Sequence, residues 1–340
     1  MAQMADQSMD GDAAGDSTTI KTSRSVATDQ GWRHNVVASR ERAMICFAGP
    51  LGSSDHRVIE LFGFTEFDPL PMPSVEEVIF TVSTTPGLLG VLPIENSTEG
   101  ELTLTLDRLI FDADDALIVG EAVLAEEIWG FSLNGEASVH TAVSHSMILD
   151  LCADFIRHRG LSVKHAVSTK AACDEVVNAL DVGLMALAPP SVGAQAGLNA
   201  VETQVARVSE LRTRYALIAN SLPAPTGADR TMLAIVPRYD AVGALSEIAG
   251  QFKSHDVNMT SILSRPLAGE RDVHCFVVVA DGHAHAEPVR SLLRSLLRAG
   301  HQVKLMGCYP RWTAKEVVTP STQLPRGVLA YEDNADTPRS

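Results

Sequence analysis

The feature that most constrains this chain is an alternation. From residue 43 to about 220, short apolar runs of strand length trade places with segments whose apolar residues recur at helical spacing. Residues 43–48 (Ala-Met-Ile-Cys-Phe-Ala) read as a strand, followed by the turn Gly49-Pro50-Leu51-Gly52-Ser53-Ser54 and an amphipathic helix near 55–62. Further strands are expected near 77–82, 89–94, 116–123, 139–144, 162–167, 182–188, 201–208 and 215–220, and helices over 100–111, 146–158, 169–180 and from Pro189-Pro190. Such an order implies an α/β fold with mixed, mostly parallel sheets and helices on both faces. Residues 221–229 have the composition of a linker, and beyond them the order resets. Strand 231–237, helix 241–253, strands 256–264 and 271–279, helix 285–299 and strand 302–309 give βαββαβ, the order of a ferredoxin-like unit. Domain limits expected from these shifts are a disordered leader over 1–42, an α/β region over 43–221, a linker over 222–230, the second unit over 231–312 and a disordered tail over 313–340.

The most chemically loaded stretch is 89–108, where an apolar strand runs through Pro93 into Glu95, Asn96 and Ser97 before Gly100. In open α/β sheets ligands sit in the crevice beyond the strand ends, so a carboxylate, an amide and a hydroxyl placed there are candidate site groups. As a bland alternative, Glu95 and Asn96 cap the following helix. The turn after residue 48 gathers backbone N–H groups and a helix start, a candidate anion site around Gly52 and Ser53. With 27 Lys and Arg against 42 Asp and Glu, the net charge of −15 argues against nucleic acid as partner. An anionic substrate would need a local cation to overcome that field. No apolar run reaches the length of a membrane span. The five scattered cysteines read as reduced core thiols of a cytoplasmic protein. His283 and His285 read as solvated loop residues, with no metal site expected. There is no dinucleotide or P-loop fingerprint, and no cofactor is expected.

Five short motifs in order carry a resemblance. They are Gly49-Pro50-x-Gly52, Pro93-Ile94-Glu95-Asn96-Ser97 with Gly100, Thr105 and Asp107, Ser144-His145, Ser168-Thr169-x-Ala171-Ala172, and Thr213-Arg214-Tyr215. Over 44–312 the chain resembles the prephenate dehydratases. Gly243-Ala244-Leu245, Ser264-Arg265-Pro266 and Gly307-Cys308-Tyr309-Pro310 resemble the ACT regulatory unit of that family. The resemblance implies two lobes of the periplasmic-binding-protein type with a cleft between them, followed by the ferredoxin-like ACT domain. It implies prephenate as substrate, conversion to phenylpyruvate in phenylalanine biosynthesis, a homo-oligomer, and an aromatic amino-acid effector at Gly243, Ala244, Leu245, Ser264, Arg265 and Pro266. Carried over residue by residue, Thr213, Glu95 and Asn96 become the catalytic candidates. Arg214, Ser97, Ser144, Thr169, Gly52 and Ser53 become the substrate-binding ones. Arg214 suits a carboxylate through its planar fork, Thr213 can polarise the leaving hydroxyl, and Glu95 can donate a proton if burial raises its pKa.

The chain departs from the family where the site should be. Ser53-Ser54-Asp55 replaces a Thr-Phe-Ser type run, so that Asp55 adds negative charge near an anion pocket or supports the helix start. Met147 and Leu151 stand at usual Gln positions, Leu211 replaces an Asn, Tyr215 the motif Phe, and Leu263 a Glu of the regulatory unit. These changes leave two alternatives, a non-aromatising prephenate decarboxylase of specialised metabolism and a catalytically impaired metabolite sensor.

Overall fold

The computed structural model describes residues 43–313 except 65, 98–99, 114, 134–138, 180–182, 204, 207–210, 240 and 268–273. All of these lie within one compact unit, Gly31–Ser340. The leader expected over 1–42 and the tail from 314 onward fall outside the described residues.

The described strands form two sheets. One is built from β1 (Ala43–Ala48), β2 (Phe67–Met72), β3 (Leu89–Asn96), β4 (Gly100–Glu101) and β5 (Leu117–Glu126). The second holds β6 (Trp129–Ser132), β7 (Thr141–Ser144), β8 (Ser162–His165), β9 (Leu184–Ala188) and β10 (Asn199–Glu202), in the order β10-β6-β9-β7-β8. The chain then returns to the first sheet through β11 (Leu211–Ala219). The two crossings, β5 into β6 and β10 into β11, make two lobes joined by a double crossing, as the resemblance implied. β1, β2 and β3 run parallel, whereas β11 is antiparallel to both β3 and β5.

Beyond the linker come β12 (Asp229–Val236), a helix over Ala244–Ser254, β13 (Met259–Pro266), β14 (His274–Asp281), a helix over Val289–Arg298 and β15 (Gln302–Pro310). Their order β13-β14-β12-β15 is ferredoxin-like, and β12 starts at Asp229, inside the stretch expected to be linker. Leu233, Ile235, Val278 and Ala280 bury one face against Ile248, Phe252, Leu292 and Leu296 of the two helices. Met232, Val277, Val279, Met306 and Tyr309 on the other face join the core of the first lobe.

β15 also lies beside β5, in parallel, with Gly307 opposite Ile118, so a single sheet runs from β13 to β2. A β-carbon at Gly307 would stand 2.1 Å from the Ile118 carbonyl oxygen; only glycine permits the approach.

Several expectations fail for physical reasons. Residues 77–82 are helical, within Val75–Thr84: Ser74 caps the helix by accepting from the Glu77 N–H, Glu76 and Glu77 fill its first turn, and Val78, Ile79 and Val82 bury one face. β2 was unexpected because it holds Pro69 and Pro71, which are tolerated at a sheet edge where no second partner needs their missing donors. The helix expected over 100–111 opens with β4 and shortens to Thr103–Asp107 and a π turn over Arg108–Asp112. Its cap position is Leu102, so Glu95 and Asn96 do not cap it. His283 is buried, its Nε2 lying 3.2 Å from the Pro223 carbonyl, rather than solvated. All five cysteines are free and buried.

Candidate active site

Strand directions converge on one edge. β1 and β3 end there, β5 ends there at the hinge, and β11 begins there, because it runs antiparallel to β3 and β5. The turn 49–54, Glu95 to Ser97, Glu126 and Leu211 to Arg214 therefore share the edge that faces the second lobe. Two contacts cross the crevice. Asn96 Nδ2 lies 3.5 Å from Met147 Sδ, at the start of the Ser146–Leu151 helix. Gly52 abuts Gln195, whose Oε1 would be 3.0 Å from a β-carbon at position 52, and its φ of +85° favours glycine.

Successive residues of a strand face opposite ways, and this divides the candidates. Thr213 pairs with Asn96, and Arg214 pairs with Glu95, across the β11–β3 ladder. Thr213 and Asn96 thus share one face; Arg214 and Glu95 share the other. Arg214 and Glu95 meet in an ion pair, while Thr213 faces the other way.

On the Thr213 face Tyr215 and Asp55 join a cluster whose Glu126 and Arg57 the motifs did not flag. Tyr215 donates to Asp55 Oδ1 at 3.3 Å. Glu126, opposite Leu211 on β5, accepts from Ser54 Oγ at 2.8 Å and pairs with Arg57. Burial pushes the Asp55 carboxyl up to about 7; the Tyr215 hydrogen bond opposes this and the Glu126 charge adds to it. Burial likewise raises the Tyr215 phenol well above its ordinary range, with Asp55 and Glu126 adding to it. Among the described residues no hydrogen bond engages the Thr213 hydroxyl.

On the other face Arg214 Nε binds Glu95 Oε2 at 2.7 Å, and its Nη1 reaches Glu121 Oε2 at 3.4 Å. Glu121 also meets Arg230 of β12 at 3.3 Å and the Trp312 N–H at 2.9 Å. Burial works against the Arg214 charge, but Tyr309, Glu95 and Glu121 outweigh it and its pKa is raised. These groups border a cavity of about 190 Å³ together with Glu101, Thr260 and Ser261, between the first lobe and the ferredoxin-like unit. Glu95 is therefore held by a guanidinium on the sheet face away from Thr213, and is not an uncommitted acid.

The remaining candidates are largely occupied in holding local structure. Ser97 Oγ accepts from the Arg212 N–H at 3.2 Å, tying β3 to β11. Ser144 is fully buried and donates to the Leu187 carbonyl at 2.6 Å, inside the second sheet rather than into the crevice. Ser53 caps the Ser54–Arg57 helix. The Gly52 N–H donates to His56 Nδ1 at 3.0 Å and the Ser53 N–H to the Pro50 carbonyl at 3.2 Å, so neither points at an anion. Thr169 opens the Thr169–Asn178 helix, capped by Ser168. In the ferredoxin-like unit Arg265 makes a bidentate pair with Asp107, at 3.0 and 2.7 Å, across to the first lobe. Gly243 precedes its helix with φ of +95°, Ala244 is half-buried, and Leu245 is exposed. Ser264 and Pro266 lie on β13 beside β14. Among the described residues no group of three or more acidic, His or Cys side chains could hold a metal ion. None of their helices is long and apolar enough to cross a membrane.

A two-lobed α/β crevice lined by hydroxyl, amide and carboxyl groups, with a ferredoxin-like unit behind it, defines a class of small-molecule enzyme. Residues 45–222 match the family model "Prephenate dehydratase". The chain is 28% identical over 280 residues to a bifunctional chorismate mutase/prephenate dehydratase of Aquifex aeolicus, covering 81% of this chain and 76% of that one. It is 29% identical over 226 residues to a prephenate dehydratase of Methanocaldococcus jannaschii, covering 65% and 81%. The crystal structure of an Arthrobacter aurescens prephenate dehydratase in complex with L-Phe is similar, with a TM-score of 0.71 and 27% identity, covering 79% of this chain and 90% of that one. The chain belongs to the prephenate dehydratase family. It is a hydro-lyase that removes carbon dioxide and water from prephenate to give phenylpyruvate.

Proposed function

We propose that prephenate is held between the lobes on the Thr213 face of the first sheet. The supporting observation is the Thr213–Asn96 register pair at the crevice edge, with the Asn96 amide reaching Met147 of the opposite lobe. Prephenate is a dianion whose ring carries a carboxylate at C1 and a hydroxyl at C4. Breaking the C1–carboxylate bond sends an electron pair through the ring, and the ring becomes aromatic as the C4–O bond breaks. Thr213 polarises that bond by donating to the departing oxygen, and Asn96 orients the ring. Thr169 serves the substrate from the second lobe, at a helix N-terminus that favours negative charge. Arg214 and Glu95 act through the backbone. Their ion pair on the far face fixes β11 against β3 and so fixes Thr213 beside Asn96.

The catalytic region takes up 43–221 and the ferredoxin-like unit of 231–312 is a regulatory ACT domain for an aromatic amino acid. The relative's complex with L-Phe supports this. With Leu263 packed against the core of the first lobe and Arg265 held by Asp107, effector selectivity is retuned. Exposed Val242, Leu245 and Leu297 fit assembly into a cytoplasmic homo-oligomer. Incubation with prephenate and mass spectrometry of the products tests the reading. Phenylpyruvate upholds it; a decarboxylated product that keeps the hydroxyl, or unchanged prephenate, contradicts it.

A further inference from the structure

We infer that Asp55 is the catalytic acid that gives its proton to the departing C4 hydroxyl, so that water leaves rather than hydroxide. The inference rests on the crevice being the dehydratase site. Hydroxide is a poor leaving group, and a Thr hydroxyl is too weak an acid to surrender a full proton to it. A carboxyl donor on the Thr213 face supplies that proton.

The groups facing Asp55 leave it as that donor. Glu95 is on the far side of the strands, bound to Arg214. Both Glu126 oxygens are taken, one by Ser54 and one by Arg57. Tyr215 directs its phenolic proton at Asp55 itself. His56, next in the chain, stacks on Phe47 at 5.2 Å, meets Phe67 edge-on at 5.8 Å and spends its Nδ1 on the Gly52 N–H. From the second lobe, His145 caps its helix with Nδ1, accepting from the Met147 N–H at 3.4 Å. Asp55 is half-buried, one residue into the helix that follows the crevice turn, and carries no cation partner among the described residues. Its carboxyl, raised to about 7, still holds a proton near neutral pH.

The step balances. The C1–carboxylate bond breaks and carbon dioxide leaves. The electron pair passes through the ring, the C4–O bond breaks, and the oxygen takes the Asp55 proton. Prephenate dianion plus one proton gives phenylpyruvate monoanion, carbon dioxide and water. Asp55, left as carboxylate, recovers its proton from solvent.

The test is the pH dependence of kcat for the wild type, Asp55→Asn and Tyr215→Phe, with prephenate as substrate and phenylpyruvate as product. The wild type should lose kcat as pH rises through the Asp55 pKa. Asp55→Asn should lower kcat at pH 6 by about 100-fold or more, with KM changed by less than about fivefold and the descending limb gone. Tyr215→Phe removes a hydrogen bond that favours the ionised carboxyl, so its limb should move to higher pH. This variant decides the matter should Asp55→Asn fail to fold. An Asn variant within about threefold of wild type that keeps the limb, or a limb unmoved by Tyr215→Phe, overturns the assignment while leaving the dehydratase reading intact. A wild type that forms no phenylpyruvate overturns both.

Discussion

At the scale of single residues, neighbours in sequence do different jobs. Thr213 and Arg214 read as one motif, yet a strand turns them to opposite faces, and the ladder to β3 hands each a different partner. The period-2 rule contained this division, but a motif read as a string of letters hides it. Asp55 was legible only as an extra charge or as support for the helix start, because its raised pKa comes from burial and from Glu126, which is remote in sequence. If its hydroxyl acts on the breaking bond, as proposed, Thr213→Ala should lower kcat by about 10²-fold with KM little changed; steady-state kinetics checks this. Asp55 also gives a stability signature. Its pKa is raised in the folded state, so the folded protein binds a proton that the unfolded chain has already lost between pH 4 and 7. That contribution is present at low pH and is lost as pH rises through about 7. Thermal melts should therefore find Asp55→Asn gaining stability relative to wild type between pH 4 and pH 8.

At the scale of elements, the alternation and its reset carried most of the fold. The strands that became β1, β3, β5, β7, β9 and β12 to β15 begin and end within a few residues of their expected places. The errors lie where local chemistry outweighs composition. Val75–Thr84 is rich in β-branched residues but has a Ser cap and acidic first turn, and β2 carries two prolines that only an edge can hold. The join between β15 and β5 was not legible, because a glycine in a strand does not say whose backbone it admits. Gly307→Ala drives a methyl into the Ile118 peptide and should cost about 3 kcal/mol or more. Calorimetry should find a lower melting temperature, and Gly300→Ala is not a suitable control because its own φ is positive.

At the scale of the whole molecule, the ferredoxin-like unit sits directly behind the strands that carry Thr213. Arg265 with Asp107, Arg230 with Glu121, and Trp312 with Glu121 bind it to the first lobe. Arg265→Ala and Asp107→Asn should each lower stability by about 1–2 kcal/mol, and the double variant should cost little more than either alone. If Arg265 instead holds the effector, Arg265→Ala abolishes phenylalanine binding by calorimetry while Asp107→Asn leaves it unchanged. If chemistry occurs on the Thr213 face, as proposed, the Arg214–Glu95 cavity behind it serves alignment. A crystal structure of the Thr213→Ala variant soaked with prephenate tests that most directly. The ligand should lie between the lobes, its ring hydroxyl toward position 213 and Asp55. Prephenate found instead among Glu95, Arg214 and Trp312 would contradict the account.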